Sequence, residues 1–423
     1  MITESKDTLK GRNWQPLLRP IEVLPVQIQG KEAICLRDPN RIAPQALFLQ
    51  ADAGFVLAML NGKNDLRDIQ AEWMRRFGQL VSLESIEALI KHLDEHLFLE
   101  GERFDRFLAE LKAHFAALST RPAILAGQSY EADTEALARQ LESYYDHPSG
   151  PGFDQEFSAA EPPRGLVAPH IDFGRGGPCY AWSYSRLRGT APPALVVILG
   201  TAHSPTENFL VLCDKDFETP FGAIPCEKDL ARDFINRAGP GLKADEFVHR
   251  GEHSIEFQAV WLKNSFRQNK EIKVLPLLCG SFYELIETGR RPEDVEAYRT
   301  AVDILKDLLH AWEKSNGRVM ILASVDLSHV GPQFGDNFRV TKAVQDEIRD
   351  HDLDLLGLVT EGKAADFYLK VAREKDRTHV CGLAPLYTML RLLDGASAQL
   401  LSYEQWVDET GQGLVSFGSL VFP

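Results

Sequence analysis

From Gly165 onward, short apolar runs of strand length alternate with amphipathic stretches of helix length. The runs are GLVAP, ALVVILG, FLVLC, KVLPLLC and RVMILAS, followed by QLLSYEQ and GLVSFGSLVF. The amphipathic stretches fall at 227–238, 254–265, 294–314, 339–357 and 384–394. Strands that are apolar throughout must be buried on both faces, so the pattern predicts an α/β fold, a layered sheet covered by helices on both faces. In such sheets ligands bind in the crevice beyond the carboxyl ends of the strands.

Three histidine-bearing motifs stand at those ends. GLVAPHIDFG puts His170 just beyond its run, ALVVILGTAHS does so for His203, and RVMILASVDLSHVG for Asp326 and His329. Neutral imidazole binds zinc, iron, copper or nickel, and two histidines with one anionic ligand leave coordination positions open. The anion could be a carboxylate or a thiolate. Pro169 stiffens the backbone before His170, and Gly200 is expected to permit a tight turn before His203. Taken singly, each histidine reads as a structural residue at a strand exit.

Asp326 and His329 fall on one side of the chain if their turn is helical, and Asp326 would then orient the imidazole. The plainer reading is a capping Asp beside a surface His. Cys381 precedes a helix expected from about Ala384, whose N-terminus would favour a thiolate; most such cysteines are small buried hydrophobes. His379 is expected to point elsewhere. Glu252, His253 and Glu256 read most simply as an acidic helix start with Ser254 as cap. His92, His96, His114, His147, His249, His310 and His351 are expected in solvent.

A net charge of −15, from 46 basic and 61 acidic residues, argues against nucleic acid or an anionic membrane as partner. No run of about 18 apolar residues suggests a membrane span, and MITESKDTLKGRNW lacks the apolar core of a secretory signal. Six cysteines without CxxC spacing fit a reducing compartment, so cytoplasm is the expectation. A chain of 423 residues suggests two domains. Residues 1–20 read as a weakly tied leader, 21–105 as a small, mainly helical module, 106–119 as a linker helix and 120–423 as the main domain. In the module, IEVLPVQIQ and EAICL predict a hairpin around Gly30. Leu66–Phe77 and Ile86–Leu97 carry helical periodicity, after Asn64 and after Ser82 or Ser85 as caps. The Pro/Gly/Ser-rich stretch 147–163 is expected to be a loop.

Five ordered blocks, VAPHIDFGRGG, ILGTAHS, GEHSIEFQAVWLK, SVDLSHVG and THVCGLAPLYTML, are similar in order and spacing to those of the Memo-like family. That family includes protein B of the AmmeMemoRadiSam system. The upstream RPAILAGQSYEADTEALARQLESYY resembles the family's opening block, although Gln128 and Ser129 depart from it. The resemblance spans about residues 120–423. It implies a fold like class III extradiol dioxygenases, with His170 and His203 as metal ligands and Cys381 where the dioxygenases have a carboxylate. It also implies His329 as acid–base residue, with Asp326 and His253 beside it. Mononuclear iron(II) is the first expectation, with copper or zinc as alternatives, since thiolate is soft. Residues 20–105 loosely resemble PqqD-like, winged-helix-sized modules that recognise peptides for radical-SAM enzymes. Implied partners are therefore a radical-SAM protein and a peptide or protein held by this module. The rival functions are a non-catalytic metal- or partner-binding scaffold and a hydrolase using zinc or the Cys381 thiolate.

Overall fold

The computed structural model describes residues 14–153, 161–267 and 272–423. Most of the expected leader (1–13) and part of the expected loop at 147–163 (154–160) lie outside the described residues. The chain forms two compact units, divided after Ala117.

In the first unit, strands β1 (Glu22–Ile28), β2 (Lys31–Arg37) and β3 (Leu47–Gln50) form an antiparallel sheet in that order. Helices α1 (Ala53–Met59), α2 (Leu66–Phe77), α3 (Leu83–Glu95) and α4 (Glu102–Ala117) follow. The hairpin turns at Gly30, as its apolar flanks predict. The cap of α2 is Asp65 rather than Asn64: its carboxylate accepts from the Arg67 and Asp68 amides, and Asp68 returns a bond to the Asp65 amide. Ser82 caps α3. Leu36, Ile69, Ile86, Ile90, Leu93 and Phe98 fill the core, and Phe104 of α4, expected as a linker helix, is buried among them. The described end of the leader is tied down: the Leu18 amide donates to Leu60, and buried Arg19 pairs with Asp38 at 2.9 Å.

The second unit is mixed α/β. Its elements are β4 (Thr120–Arg121), α5 (Thr134–Tyr145), β5 (Gly165–Ala168), α6 (Phe173–Ser185), β6 (Leu195–Thr201), β7 (Leu210–Leu212), β8 (Asp216–Phe217), α7 (Lys228–Ala238), α8 (Ser254–Ser265) and β9 (Lys273–Cys279). There follow α9 (Tyr283–Glu287), α10 (Glu296–Asn316), β10 (Val319–Ser324), β11 (Asp326–Val330), α11 (Lys342–Thr360), α12 (Ala364–Arg373), α13 (Leu383–Leu392), β12 (Gln399–Val407) and β13 (Leu414–Phe422). The central sheet has eight strands, with β5, β10, β6 and β9 parallel at its heart. One edge of β13 pairs antiparallel with β11 through its first half and with β5 through its last residues, while β12 lies along its other edge.

Successive side chains of the parallel strands enter opposite cores, which is why the strands carry no polar alternation. Val167, Val197, Leu275 and Ile321 meet Phe234, Leu305, Leu355 and Leu386 on one face. Leu166, Ile198, Val274 and Leu322 meet Leu141, Tyr184 and Trp261 on the other. No helix among the described residues is long and apolar enough to cross a membrane.

Two histidines expected in solvent are buried instead. His351 bridges the carboxylates of Glu374 (2.8 Å) and Asp352 (3.5 Å). His249 donates from Nε2 to the Val211 carbonyl at 3.0 Å, and its Nδ1 has no partner among the described residues. Burial, abetted by the Arg121 cation, pushes the His249 pKa down to about 4. An unfolded histidine titrates near 6.5, so between the two values the unfolded chain carries a proton that the folded chain lacks. This contribution to stability is therefore present above pH 6.5 and is lost as pH falls towards 4. In urea titrations from pH 7 to 4.5, His249→Gln should remove one proton's worth of pH dependence, up to about 3 kcal/mol. An unchanged slope would exclude His249 as its source.

Candidate metal centre

Three parallel neighbours, β5, β10 and β6, set the site. Ser324 at the end of β10 is level with Ala168 of β5 and Gly200 of β6, so the residues that follow all emerge at one rim. His170 leaves β5 behind Pro169, His203 leaves β6, and Asp326 opens β11. Cys381 arrives from the segment before α13. One ligand atom from each of His170, His203 and Cys381 lies within 4.8 Å of the others.

Both imidazoles are oriented through Nδ1. His170 Nδ1–H donates to the Ser324 carbonyl at 3.0 Å, and His203 Nδ1–H donates to the Glu252 carboxylate at 3.0 Å. The nitrogen left with a free lone pair is Nε2 in each, the usual condition of a ligating histidine backed by an acceptor. Cys381 Sγ lies 3.3 Å from His170 Nε2 and 3.4 Å from the Asp326 carbonyl. Asp326 Oδ2 stands 3.6 Å from the same Nε2. Lone pairs of two imidazoles, a sulfur and a carboxylate thus converge with one thiol hydrogen among them. Such a cluster could hold a cation, and its nitrogen and sulfur donors suit iron(II), copper or zinc over magnesium or calcium.

The protonation states differ among the donors. Burial, followed by the nearby His203 and His253, holds the His170 imidazole well below its usual pKa, so it is neutral. Burial and then the Asp326 charge push the Cys381 thiol well up. The start of α13 therefore does not by itself produce the thiolate expected there. Burial would lower His203, but the Glu252 carboxylate prevails and raises it. Glu252, which burial alone would raise, is held well below the carboxylate range by His203 and His253.

Glu252 is more than a helix-start carboxylate. It accepts from the amides of His203 (2.9 Å), His253 (2.8 Å) and Ser254 (3.1 Å) besides the His203 ring. His203, Glu252 and His253 also bring ligand atoms together. The lone pairs of Glu252, however, are committed to these donors. His253 stacks on His203, ring centroids 4.6 Å apart and 21° from parallel.

Asp326 and His329 do not share a helical turn: both lie on β11, where the pairing with β13 shifts between them. Asp326 Oδ1 accepts from the amides of His170 (2.9 Å) and Ile171 (3.2 Å), so it fixes the His170 backbone rather than the His329 ring. His329, half-buried, donates from Nδ1 to the Leu327 carbonyl at 3.1 Å, which leaves Nε2 as acceptor. Burial lowers its pKa. His379 turns away, its backbone at φ 52° and its Nδ1 bonded to the His329 carbonyl. Gly200 serves no turn: it lies within β6, and a Cβ there would come within 2.6 Å of Ser254 Oγ at the start of α8. Gly382 is similarly constrained, since a Cβ would meet the Asp326 carbonyl at 2.6 Å.

Comparison with known proteins identifies the family. A family model described as Memo-like protein matches residues 121–421. The chain belongs to the Memo-like family. A MEMO1 family protein of Aquifex aeolicus is 26% identical over 390 residues, covering 92% of this chain and 95% of that protein. Residues 118–423 alone cannot supply that cover, so the match runs into the first unit. A MEMO1 family protein of Thermus thermophilus is 31% identical over 362 residues, covering 84% and 98% respectively. One from Methanocaldococcus jannaschii is 26% identical over 309 residues, covering 71% and 97%.

Removing the Asp326 carboxylate orphans two amide donors at the rim. Asp326→Ala should lower stability by roughly 1–3 kcal/mol for each donor left dry. Urea unfolding measures this, and a change under about 0.5 kcal/mol, the range of an ordinary surface substitution, would mean that water replaces the carboxylate.

Proposed function

We propose that this Memo-like chain is a mononuclear metal-binding redox protein whose ion is held by Nε2 of His170, Nε2 of His203 and Sγ of Cys381. Iron(II) is the preferred ion, with copper or zinc as alternatives. The observation that carries the reading is the convergence of three donors from separate chain segments, both imidazoles already turned by an acceptor at Nδ1. Bound iron(II) or copper would supply electron transfer and open positions for dioxygen or a small substrate, as in the extradiol dioxygenases.

The surrounding residues have distinct tasks. His329, neutral and with Nε2 free, accepts a proton at that atom and returns it later. Asp326 holds the His170 backbone and sets a carboxyl oxygen 3.6 Å from His170 Nε2. His253 covers one face of His203 against solvent. For the first unit we propose binding of a peptide or partner, a radical-SAM protein among the candidates; the support is an outer sheet face with Leu24, Ile28 and Phe48 exposed.

A metal-free Cys381–His170 hydrolase is the second reading, favoured by their 3.3 Å contact. It is weakened by burial, which keeps both groups neutral. Elemental analysis and electron paramagnetic resonance on protein purified without oxygen decide between them. One equivalent of metal is expected in the wild type, and at least tenfold less under chelator competition in His203→Ala and Cys381→Ser. Equal metal content in all three proteins would remove the proposed centre.

A further inference from the structure

Arg121 is the largest charged side chain fully enclosed in the second unit, and no task described so far explains it. It follows α4 by only a few residues and reaches across to the loop that carries Glu252. Its five N–H donors are all used. Nε donates to the His249 carbonyl at 3.0 Å, Nη2 to the carbonyls of Glu252 (2.7 Å) and Arg250 (3.4 Å), and Nη1 to Pro122 (2.7 Å) and the Glu256 carboxylate. Glu256 is itself fixed by the Leu125 amide (2.9 Å) and the Tyr130 hydroxyl (2.6 Å).

An ion pair needs only the carboxylate. A planar fork spread over three carbonyls of one loop is a clamp, and lysine could not reproduce it. What the clamp fixes is the backbone of Glu252, whose side chain turns Nδ1 of His203. We infer that Arg121 is a positioning residue for the metal centre, holding the 249–252 loop so that Glu252 presents His203 Nε2 to the ion. This rests on the metal-binding reading given above.

Cobalt(II) is a suitable probe, because its ligand-field bands report geometry while the thiolate charge-transfer band reports Cys381. Arg121→Lys in the full chain should weaken cobalt affinity 10- to 100-fold, as loss of an orienting partner does. The charge-transfer band should persist while the ligand-field bands shift. Glu252→Gln should give the same change, and the double variant Arg121→Lys/Glu252→Gln little more, since both act through one ring. Arg121→Gln/Glu256→Gln leaves no single charge buried. It should fold and lose affinity equally. Leu305→Ala, a buried change on α10 facing the opposite core, should lower stability without altering affinity or spectrum.

Wild-type affinity in a folded Arg121 variant, additivity in the double variant, or the same affinity loss in Leu305→Ala would each overturn the inference. So would failure of both Arg121 variants to fold, which would assign Arg121 to structure alone. A wild type that binds no cobalt would instead sink the metal-binding reading itself.

Discussion

Everything at the rim depends on the shared register of three parallel strands. Ala168, Ser324 and Gly200 lie level across β5, β10 and β6, so the chain leaves all three at the same height. Bulk would break this arrangement in two places. A side chain at Gly200 would drive off the start of α8, which carries Ser254 and follows Glu252. One at Gly382 would push Cys381 away from β11. The two glycines are spacers between backbones, and their value lies in what they let approach.

The second organising principle is electrostatic. Orienting acceptors are buried (the Ser324 carbonyl, the Glu252 carboxylate), while the imidazole nitrogens they leave free face a common point. Burial pushes up the pKa of the Cys381 thiol beside them and that of the Asp326 carboxyl, whose Oδ2 stands 3.6 Å from His170 Nε2. A soft cation, bound there as proposed, would favour the thiolate and accept both imidazoles together.

Much of this was legible in the sequence. Unbroken apolar runs identify strands buried on both faces, and the position of His170 and His203 just beyond such runs follows from the fold class. The ordered blocks extended that reading to Cys381, which periodicity alone could not have singled out. Local pattern misled where tertiary contacts decide. Glu252 reads as an acidic helix start with Ser254 as cap, yet it lies just before the His253 cap of α8, Ser254 donates its hydroxyl to Thr201, and the role of Glu252 depends on His203, far away in the chain. Gly200 looks like a turn residue although its constraint comes from α8. His249 and His351 carry no sequence mark of burial. Arg121 opens the upstream block that resembles the family, but its task gave no signal, because the carbonyls it holds belong to a loop beyond β8.

The donors come from β5, β6 and the approach to α13, which are far apart along the chain. In an unfolded polypeptide these three donors are not near one another, so an ion held as proposed would bind the folded form in preference. Whatever free energy the ion contributes falls almost wholly on the folded form. Loading of the proposed centre would then favour finished molecules over unfinished ones.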